Sequence, residues 1–491
     1  MTARPFTSVL VANRGEIAVR ILRTVQALGM EGMVVYHAAD AGSPAVRMAD
    51  RAIEIEGPTP VAAYLDAAQI VAKASAAGAE AIHPGYGFLS ENAEFAKAVA
   101  AAGMVFVGPT PEAIELMGDK VRARNFVEAR GFPVAPSAIE DDDPASFVER
   151  ARAVGAPLLI KPSAGGGGKG MRIVRDLDLL DEEIERGRSE GLRYFGDGRL
   201  YAERYVERPR HIEVQVLGDA HGNVVHLFER ECSIQRRFQK VVEESPSPGL
   251  TPEERTRICE VAAGIARAAN YRNAGTVEFI YGAGEFYFLE MNTRLQVEHP
   301  VTEEVTGVDL VAEQLRIAMG APLGYAQNDV RIQGHAIELR LYAEDSARDF
   351  SPTTGPILAY RPPDGIRVDS GIAEGSAVTA NFDPMLAKVI VHGDSRAQAI
   401  ERAKQALADF VLLGCKTNAG FLHRLLADPD FAAGDMHTGS IAEKPWLAQE
   451  PELDQQRLIE LLGAAALLLV PVRTAADAVS LQHAAMGAWR N

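Results

Sequence analysis

Short apolar runs alternate with helix-like periodicity along the first hundred residues. Residues 8–12 form an apolar run, and the apolar positions of residues 17–28 then recur at the spacing of one helix face. Asn13 is predicted to cap this helix, with Glu16 in its first turn. Further strands are predicted at residues 33–36, 53–55, 81–83 and 105–107, and further helices at residues 64–76 and 92–101. The alternation predicts a doubly wound α/β unit with a parallel sheet.

The middle of the chain changes to strand-rich segments. Strands are predicted at residues 158–160, 200–206, 211–217, 223–228, 276–282 and 286–292, with a helix at residues 252–270. The last two strands form a predicted hairpin through a three-residue loop, residues 283–285, in which the glycine takes a left-handed conformation. Residues 396–409 and 455–470 are predicted helices further along the chain.

Acidic and amide side chains follow one face of this hairpin. If Gly282 pairs with Phe286, Glu278 lies opposite Glu290, and Asn292 follows on the same face. Facing carboxylates destabilise a ladder unless a cation lies between them, and two carboxylates with an amide oxygen suit Mg²⁺. A loop of two or four residues would put the glutamates on opposite faces, and alternating charge is also common on solvated strands. A metal site and a solvated face are both open interpretations.

The polar alternation continues beyond the hairpin. Arg294, Gln296 and Glu298 alternate with the apolar Leu295 and Val297. If the strand goes on, the same ribbon presents an anion-binding cation and a spare carboxylate beside the metal ligands. That combination is typical of a site that consumes ATP.

A glycine-rich run with a lysine at each end follows the predicted strand at residues 158–160. Lys161 precedes Gly165, Gly166, Gly167 and Gly168, and Lys169 comes directly after them. Successive glycines let backbone N–H groups approach phosphate oxygens closely, although a glycine run can also be a flexible linker. Only ten of the fifty basic residues are lysine, so the pair is unusual. The run predicts a mobile phosphate-binding lid.

Two further stretches are candidate binding elements. HPGYGFLSEN, residues 83–92, leaves a predicted strand at its C-terminal end, where ligands of parallel sheets collect, although it is equally consistent with a plain turn. Arg230, Arg236, Arg237 and Lys240 form a basic cluster in an acidic chain. Such clusters are more often surface charge than anion sites.

Composition narrows the class of protein. A chain of 491 residues predicts three or four domains, and 47% hydrophobic with 24% charged residues is ordinary for a soluble protein. A net charge of −17 argues against nucleic acid or an anionic membrane as partner. Three widely spaced cysteines favour a reducing compartment, and the longest apolar run is too short to span a bilayer. We therefore expect a cytoplasmic protein.

Several motifs in this order resemble the biotin carboxylase family of ATP-grasp ligases. They are VANRGEIAVRI, HPGYGFLSEN, GGGGKGM, HIEVQV, ECSIQRR, EMNTRLQVEHPVTE and GHAIELRLYAED, and the resemblance extends from about residue 8 to about residue 444. It implies an α/β fold, with α+β character in the ATP-grasp part. The implied domains are residues 1–117, an ATP-grasp domain at residues 118–333 with a lid at about 135–206, and a C-terminal domain at residues 334–445. Residues 446–491 are a helical tail or the start of a linker.

The resemblance also implies residue roles. The implied catalytic set is Lys240, Arg294, Glu298 and Arg340, the substrate-binding set is Tyr86, Gln296 and Val297, and the metal set is Glu278, Glu290 and Asn292. The implied nucleotide-binding positions are Lys120, Lys161, Gly165, Gly166, Gly167, Gly168, Lys169, Glu203, Arg204, Tyr205, Val206, His211 and Gln235. Glu298 matches the general base, and Arg340 matches the residue that steadies the biotin enolate.

The implied reaction is the carboxylation of biotin with ATP and bicarbonate through carboxyphosphate, aided by Mg²⁺ or Mn²⁺. No Met-Lys-Met occurs, so biotin is expected on a separate carrier protein or on another part of a longer polypeptide. A carboxyltransferase partner and a homodimer are expected from the family. Residues 368–375 and 382–388 resemble the α subunit of acyl-CoA carboxylases more than the free-standing bacterial subunit. This implies the first half-reaction of an acyl-CoA carboxylase.

Two departures and two other functions complete the sequence-based view. Phe238 stands where relatives often carry a polar residue, so a side-chain hydrogen bond there is lost, and Ala164 replaces a glycine of the lid. A different ATP-grasp ligase that joins a carboxylate to an amine is one alternative, such as a purine-pathway carboxylase or half of a carbamoyl-phosphate synthase. The chain shows no internal duplication, which disfavours the second of these. A non-catalytic nucleotide-binding regulator is the other.

Overall fold

A computed structural model describes residues 5–140, 143–162, 171–195, 197–450 and 455–469. The chain divides into two compact units, Met1–Leu447 and Ala448–Asn491. In the second unit, the helix Gln455–Leu469 agrees with the predicted helix at residues 455–470. No helix among the described residues has the length and apolar character needed to cross a membrane.

The first unit begins with the predicted doubly wound α/β arrangement. Its strands are β1 (Ser8–Val11), β2 (Glu31–Tyr36), β3 (Arg51–Glu54), β4 (Ala81–His83) and β5 (Val105–Phe106). Its helices are α1 (Gly15–Ala27), α2 (Pro44–Met48), α3 (Pro60–Tyr64), α4 (Ala67–Ala77), α5 (Ala93–Ala101) and α6 (Pro111–Gly118). The described strands pair in parallel in the order β3-β2-β1-β4-β5. The predicted parallel sheet is confirmed.

Two local predictions in this region are wrong. Asn13 does not cap α1; its amide donates to the carbonyl oxygens of Pro84 and Tyr86, at 2.7 Å each. The helix predicted at residues 64–76 is two helices, because the Asp66 side chain accepts from the Gln69 backbone and caps a new one. In both cases a polar side chain forms a hydrogen bond that the apolar periodicity of the sequence does not predict.

A small antiparallel sheet follows. The elements are α7 (Lys120–Glu128), β6 (Ser137–Ile139), α8 (Phe147–Val154), β7 (Leu158–Pro162), β8 (Arg172–Val174), α9 (Leu180–Phe195) and β9 (Leu200–Arg204). The described strands pair in the order β6-β9-β7-β8. The predicted lid residues Gly165, Gly166, Gly167, Gly168 and Lys169 lie outside the described residues, so their assignment stays a prediction.

The largest sheet carries the polar residues of interest. The strands of this sheet and the helices between them begin with β10 (Arg210–Gly218), β11 (Val224–Arg236), β12 (Gln239–Ser245), α10 (Pro252–Ala268), β13 (Asn273–Gly282), β14 (Glu285–Asn292), α11 (His299–Thr306) and α12 (Leu310–Ala318). Further along are β15 (His335–Tyr342), β16 (Glu344–Asp345), β17 (Ser351–Pro352), β18 (Gly355–Pro356), β19 (Ala359–Arg361), β20 (Arg367–Ser370), β21 (Ala377–Val378) and β22 (Met385–Gly393). The unit ends with α13 (Arg396–Asp409), β23 (Val411–Leu413), α14 (Ala419–Leu426), α15 (Pro429–Ala433) and α16 (Ser440–Glu443).

In the described part of the chain, eight of these strands form one sheet in the order β14-β13-β10-β11-β12-β15-β22-β20. The pairing of β12 with β15 carries the sheet across the predicted domain boundary at residues 333 and 334. The predicted domain boundaries stay a prediction.

The parallel sheet and the large sheet share an apolar core. Val9, Val11, Ile17 and Ile21 are buried in one cluster with residues of the large sheet and of α12. The additional members include Leu217, Leu227, Ala274, Leu310, Val311 and Leu315. This packing brings the first turn of α1 against β22, where Glu16 lies 3.2 Å from Lys388 Nζ.

The hairpin of β13 and β14 turns more tightly than predicted. Gly282 pairs with Glu285 and not with Phe286, so the loop contains two residues, Ala283 and Gly284. Their φ values are +53° and +80°, and a two-residue turn with both φ positive matches the right-handed twist of the strands. The predicted three-residue loop is wrong.

A β-bulge restores the register that the sequence predicts. Phe279 pairs with Phe288, whereas Glu278 pairs with Glu290, so Leu289 is an extra residue on the second strand. The bulge compensates for the shorter turn. The predicted facing pair of glutamates is confirmed.

The ribbon predicted beyond Asn292 is wrong. The strand ends at Asn292, and residues 293–298, all of them described, form no strand. Glu298 immediately precedes α11, with Pro300 in the first helical turn, a position that proline favours. The alternating polar residues therefore reach the sheet from a loop.

Candidate active site

Lys240 lies at the centre of a cluster of carboxylates on the large sheet. Its Nζ lies 2.6 Å from Glu213, 3.0 Å from Glu278 and 2.5 Å from Glu298. These three carboxylates come from β10, β13 and the residue that precedes α11. Arg236 pairs with Gln239 across a two-residue turn, so the chain reverses direction there. Lys240 therefore lies near the start of β12, within reach of these carboxylates.

Burial and pairing together set the charges in this cluster. Burial opposes the charge on Lys240, but Glu213, Glu278 and Glu298 outweigh it and hold the Lys240 pKa well above its usual value. Burial alone would also raise the pKa of Glu278, yet Lys240 and His211 hold it well below the usual range. The cluster therefore keeps the Lys240 ammonium and the Glu278 carboxylate charged inside the protein.

The predicted metal ligands come together on the hairpin. Glu278 accepts from the Asn292 amide at 2.8 Å and lies 2.9 Å from His211 Nε2, and Glu290 lies 2.7 Å from Lys120 Nζ. The side chain of Glu290 is about one-third exposed, so it faces an accessible space. Two carboxylates and an amide oxygen fit a hard divalent cation.

Arg294 and Gln296 reach the same cluster from the loop after the hairpin. Arg294 donates to Glu91 at 2.9 Å and to the amide oxygen of Asn292 at 2.8 Å. Gln296 donates to Glu278 at 2.8 Å. Arg294 therefore stands beside Asn292, one of the predicted metal ligands.

Arg340 lies on the other side of Glu298. It donates to Glu298 at 2.9 Å and to Glu243 at 2.6 Å. The Tyr86 hydroxyl donates to Glu16. Burial is the largest cause that holds the pKa of Tyr86 well above its usual value, and the Glu16 carboxylate adds to it. Tyr86 therefore stays a neutral phenol next to this array of charges.

Val297 takes part through its backbone. Its carbonyl oxygen accepts from the buried Lys388 Nζ at 2.8 Å. Lys388 in turn lies 3.2 Å from Glu16, the carboxylate that accepts from Tyr86. The loop after the hairpin is therefore fixed to both β22 and the first turn of α1.

The predicted nucleotide-binding residues fall into two groups. Gln235 lies 2.8 Å from His211, which adjoins Glu278, whereas Lys161 lies 2.8 Å from Glu203 on the small sheet. The Arg204 side chain donates to Ala156 at 2.7 Å, the Tyr205 backbone donates to Pro157 at 2.9 Å, and Val206 follows directly in the chain. Arg204 and Tyr205 thus support the neighbouring backbone. Their nucleotide roles stay predictions.

The predicted basic cluster is not one surface patch. Arg230 is completely buried, whereas Arg236 pairs with Glu344 at 2.8 Å and exposed Arg237 pairs with Asp349 at 2.7 Å. Of the four, Lys240 and Arg230 both contact the carboxylate cluster, through Glu213. Phe238, between Arg237 and Gln239, is 90% exposed, and the loss of a polar contact there stays a prediction.

Sequence reasoning missed several residues that support the site. They are Glu16, Glu91, Glu213, Glu243, Glu338 and Lys388. Glu91 lies inside HPGYGFLSEN and Glu213 inside HIEVQV, so the motifs contained them without indicating a contact. Lys388 could have been found by the scarcity of lysine, the signal that singled out Lys161 and Lys169.

Comparison with known proteins agrees with this arrangement. "Biotin carboxylase, N-terminal domain" matches residues 5–114, "Carbamoyl-phosphate synthase L chain, ATP binding domain" matches residues 119–326, and "Biotin carboxylase C-terminal domain" matches residues 338–443. The chain is 49% identical to the biotin carboxylase of Halalkalibacterium halodurans over 442 residues, which are 89% of this chain and 97% of that protein.

Two further relatives show the range of the similarity. The chain is 49% identical over 438 residues to the mitochondrial methylcrotonoyl-CoA carboxylase subunit alpha of Oryza sativa, covering 88% of this chain and 59% of that subunit. The solved biotin carboxylase domain dimer of the Hydrogenobacter thermophilus 2-oxoglutarate carboxylase, in complex with MgADP, ADP and bicarbonate, has a TM-score of 0.81 and 44% identity. That match covers 91% of this chain and 99% of the solved one. The resemblance predicted from the motifs is confirmed: the chain belongs to the biotin carboxylase family of ATP-grasp enzymes.

Proposed function

We propose that the chain uses ATP and bicarbonate to carboxylate biotin that is presented on a carrier domain. The observation that carries this proposal is Lys240 Nζ, which lies within 3.0 Å of both Glu278 on the hairpin and Glu298, the predicted base. Arg340 lies 2.9 Å from the other oxygen of Glu298. The predicted metal ligands, anion-binding cation, base and enolate-stabilising cation are therefore contiguous.

The proposed reaction has three steps. Glu298 accepts the proton of bicarbonate while a bicarbonate oxygen attacks the γ-phosphorus of ATP and the bond to ADP breaks. The resulting carboxyphosphate breaks down to CO₂ and phosphate, and the phosphate takes the proton from biotin N1′. Biotin N1′ then bonds to CO₂, and Arg340 stabilises the negative oxygen that forms on biotin before this bond is made.

Substrate binding would adjust the strength of the base. Burial alone would raise the pKa of Glu298, yet Lys240 and Arg340 hold it well below its usual range. A carboxylate with such a low pKa accepts protons poorly at neutral pH. Bicarbonate at Lys240 and Arg294 would share the charge of Lys240, and the Glu298 pKa would rise toward the working range. This makes proton removal dependent on bound bicarbonate.

Glu278, Glu290 and Asn292 would hold a Mg²⁺ or Mn²⁺ ion. A bound ion would offset the negative charge of the phosphate oxygens of ATP. Glu278 already accepts two amide hydrogen bonds at 2.8 Å, from Asn292 and Gln296, which orient its carboxylate. The chain therefore supplies the Glu278 carboxylate in a fixed direction.

We further propose that this reaction is the first half of an acyl-CoA carboxylase cycle. The similarity to a methylcrotonoyl-CoA carboxylase subunit alpha supports an acyl-CoA acceptor. The similarity to a 2-oxoglutarate carboxylase domain supports biotin carboxylation without supporting that acceptor. A carrier domain and a carboxyltransferase are the partners that this cycle requires. The dimer formed by the solved relative supports a homodimer, and a cytoplasmic location stays a prediction.

The test is ADP release from ATP and Mg²⁺, measured with and without bicarbonate and with and without free biotin. We expect ADP release to require bicarbonate and to increase when biotin is added. Activity that is indifferent to both would contradict the proposal. Activity that requires an amine or another carboxylate in place of bicarbonate would favour a different ATP-grasp ligase.

Glu91→Gln is expected to raise the KM for bicarbonate up to about fivefold with little change in kcat. The reason is that Glu91 orients Arg294 through a contact of 2.9 Å that is only partly shielded from water. The KM is measured from steady-state ADP release at varied bicarbonate concentrations. Glu94→Gln is the matched control, because Glu94 is an exposed carboxylate that pairs with Lys97 at 2.8 Å. A KM equal to that of the control would refute the positioning role.

A further inference from the structure

Two buried glutamates face each other beside Arg340. Glu243 of β12 and Glu338 of β15 are direct partners in the antiparallel register, and both are completely buried. Side chains that face each other in this way are about 5 Å apart at Cβ. Among the described residues, Oε2 of Glu243 and both oxygens of Glu338 have no hydrogen-bond partner. Three buried carboxyl oxygens without a hydrogen-bond partner, on two facing side chains, are costly in free energy unless the two carboxyl groups share a proton.

The charged groups around Glu338 do not supply a partner. Lys388 of β22 donates to the Val297 carbonyl, and Arg340, on β15 with Glu338, donates to Glu243 and Glu298. Glu243 and Glu298 add negative charge near Glu338, and the neutral phenol of Tyr86 is also nearby. An ionised Glu338 would therefore add a further anion to a cluster whose cations are already engaged.

The direction of the pKa shifts agrees with this geometry. Burial is the largest cause that raises the pKa of Glu338 well above its usual value; Lys388 and Arg340 oppose it, and Glu243 and Glu298 add to it. Burial likewise raises the pKa of Glu243 to about 7, against the opposing effect of Arg340. Facing carboxyls that both resist ionisation are suited to sharing one proton.

We propose that Glu338 is a protonated positioning residue that donates a hydrogen bond to the free oxygen of Glu243. The other oxygen of Glu243 accepts from Arg340 at 2.6 Å. The proton on Glu338 thereby fixes the Glu243 carboxylate, and that carboxylate fixes the guanidinium. Ionisation of Glu338 would create a competing anion and draw Arg340 or Lys388 away from its present partner. The protonation of Glu338 and its hydrogen bond to Glu243 do not depend on the proposed function, whereas the effect on catalysis rests on the proposed role of Arg340.

Glu338→Gln separates protonation from function. An amide keeps the donor of a neutral acid, and it cannot ionise. An unfolded glutamate is ionised above about pH 4.3, so folding of the wild-type protein must take up a proton. Wild-type stability therefore falls as pH rises toward the raised pKa of Glu338, whereas the variant lacks this loss. The unfolding temperature of E338Q relative to wild type should increase from about pH 6 to about pH 9.

The control is Glu229→Gln, which alters an equally buried carboxylate that has partners. Glu229 pairs with Arg255 at 2.6 Å and accepts from the Ser247 backbone at 3.0 Å. Its variant should melt below wild type throughout the pH range. The proposal would be overturned if E338Q were less stable than wild type at neutral pH. It would also be overturned if the unfolding temperature of E338Q relative to wild type did not increase with pH. This readout does not require any activity, so it stays decisive if the proposed function fails.

Activity provides the second readout. E338Q should keep biotin-dependent ADP release within about twofold of wild type at neutral pH and lose less of it in alkali. Glu338→Ala should lower biotin-dependent turnover about tenfold, because Glu243 loses its donor, with a smaller effect on bicarbonate-dependent ADP release without biotin. Equal losses in E338Q and E338A, or equal pH profiles in wild type and E338Q, would refute the positioning role.

Discussion

Glu298→Gln is expected to lower bicarbonate-dependent ADP release by about 10²- to 10⁴-fold, the contribution of a positioned general base. The amide cannot accept the bicarbonate proton, so the oxygen that attacks ATP is a poorer nucleophile. The fold should survive, since the cations keep other partners. Lys240 retains Glu213 at 2.6 Å and Glu278 at 3.0 Å, and Arg340 retains Glu243 at 2.6 Å.

The measurement is ADP release at saturating ATP and bicarbonate, with circular dichroism to verify folding. Glu313→Gln is the control, because Glu313 is a buried carboxylate on α12 that pairs with Arg316 at 2.9 Å, away from the Lys240 cluster. It should keep wild-type turnover. A Glu298→Gln protein that also turns over at the wild-type rate would remove Glu298 from the proposed mechanism.

Arg230→Met is expected to lower the free energy of unfolding by about 3–5 kcal/mol, the usual cost of breaking a buried ion pair from one side. Arg230 is completely buried, and its guanidinium contacts Glu213 at 2.5 Å and Gln296 at 2.8 Å. Its remaining acceptors are Gln215 at 2.8 Å, Thr276 at 3.1 Å and Thr302 at 2.9 Å. Methionine fills the space without satisfying these groups, so their desolvation is uncompensated.

The midpoint of equilibrium urea unfolding, followed by two spectroscopic probes, measures this loss. Arg208→Met is the control, because Arg208 is exposed and pairs with Asp435 at 3.2 Å, a surface contact worth about 1 kcal/mol or less. Arg230→Lys should fall between the two, since it keeps the charge but not the planar set of donors. Equal midpoints for Arg230→Met and the control would show that this buried network adds no stability.

Much of the fold was accessible to sequence reasoning because its signals are local. The predicted helix at residues 396–409 has the bounds of α13, and the parallel strands around β1 lie where short apolar runs place them. The failures are also local. Asp66 interrupts a predicted helix, and a two-residue turn replaces the predicted loop at Ala283 and Gly284. Caps and turns depend on single hydrogen bonds and φ values that periodicity does not report.

The candidate site was accessible only in part. The facing pair of Glu278 and Glu290 followed from strand register, although it was reached through an incorrect loop and an unforeseen bulge. A basic cluster in the sequence favours surface charge for Arg230, and no sequence signal marks Glu338. Both are buried by strands that are distant in sequence, so their environment could not be deduced from their neighbours in the chain.

By itself, the amino-acid sequence determined the alternation of elements and the family. The residues that it indicates for binding phosphate, metal and a small anion stay predictions. The tertiary structure alone decided which charges meet. Lys240 contacts Glu298 across 58 positions of chain, and Arg340 contacts Glu243 across 97. Periodicity encodes which face of an element is apolar, whereas the protonation and pairing of a buried charge depend on the groups that the fold places opposite it.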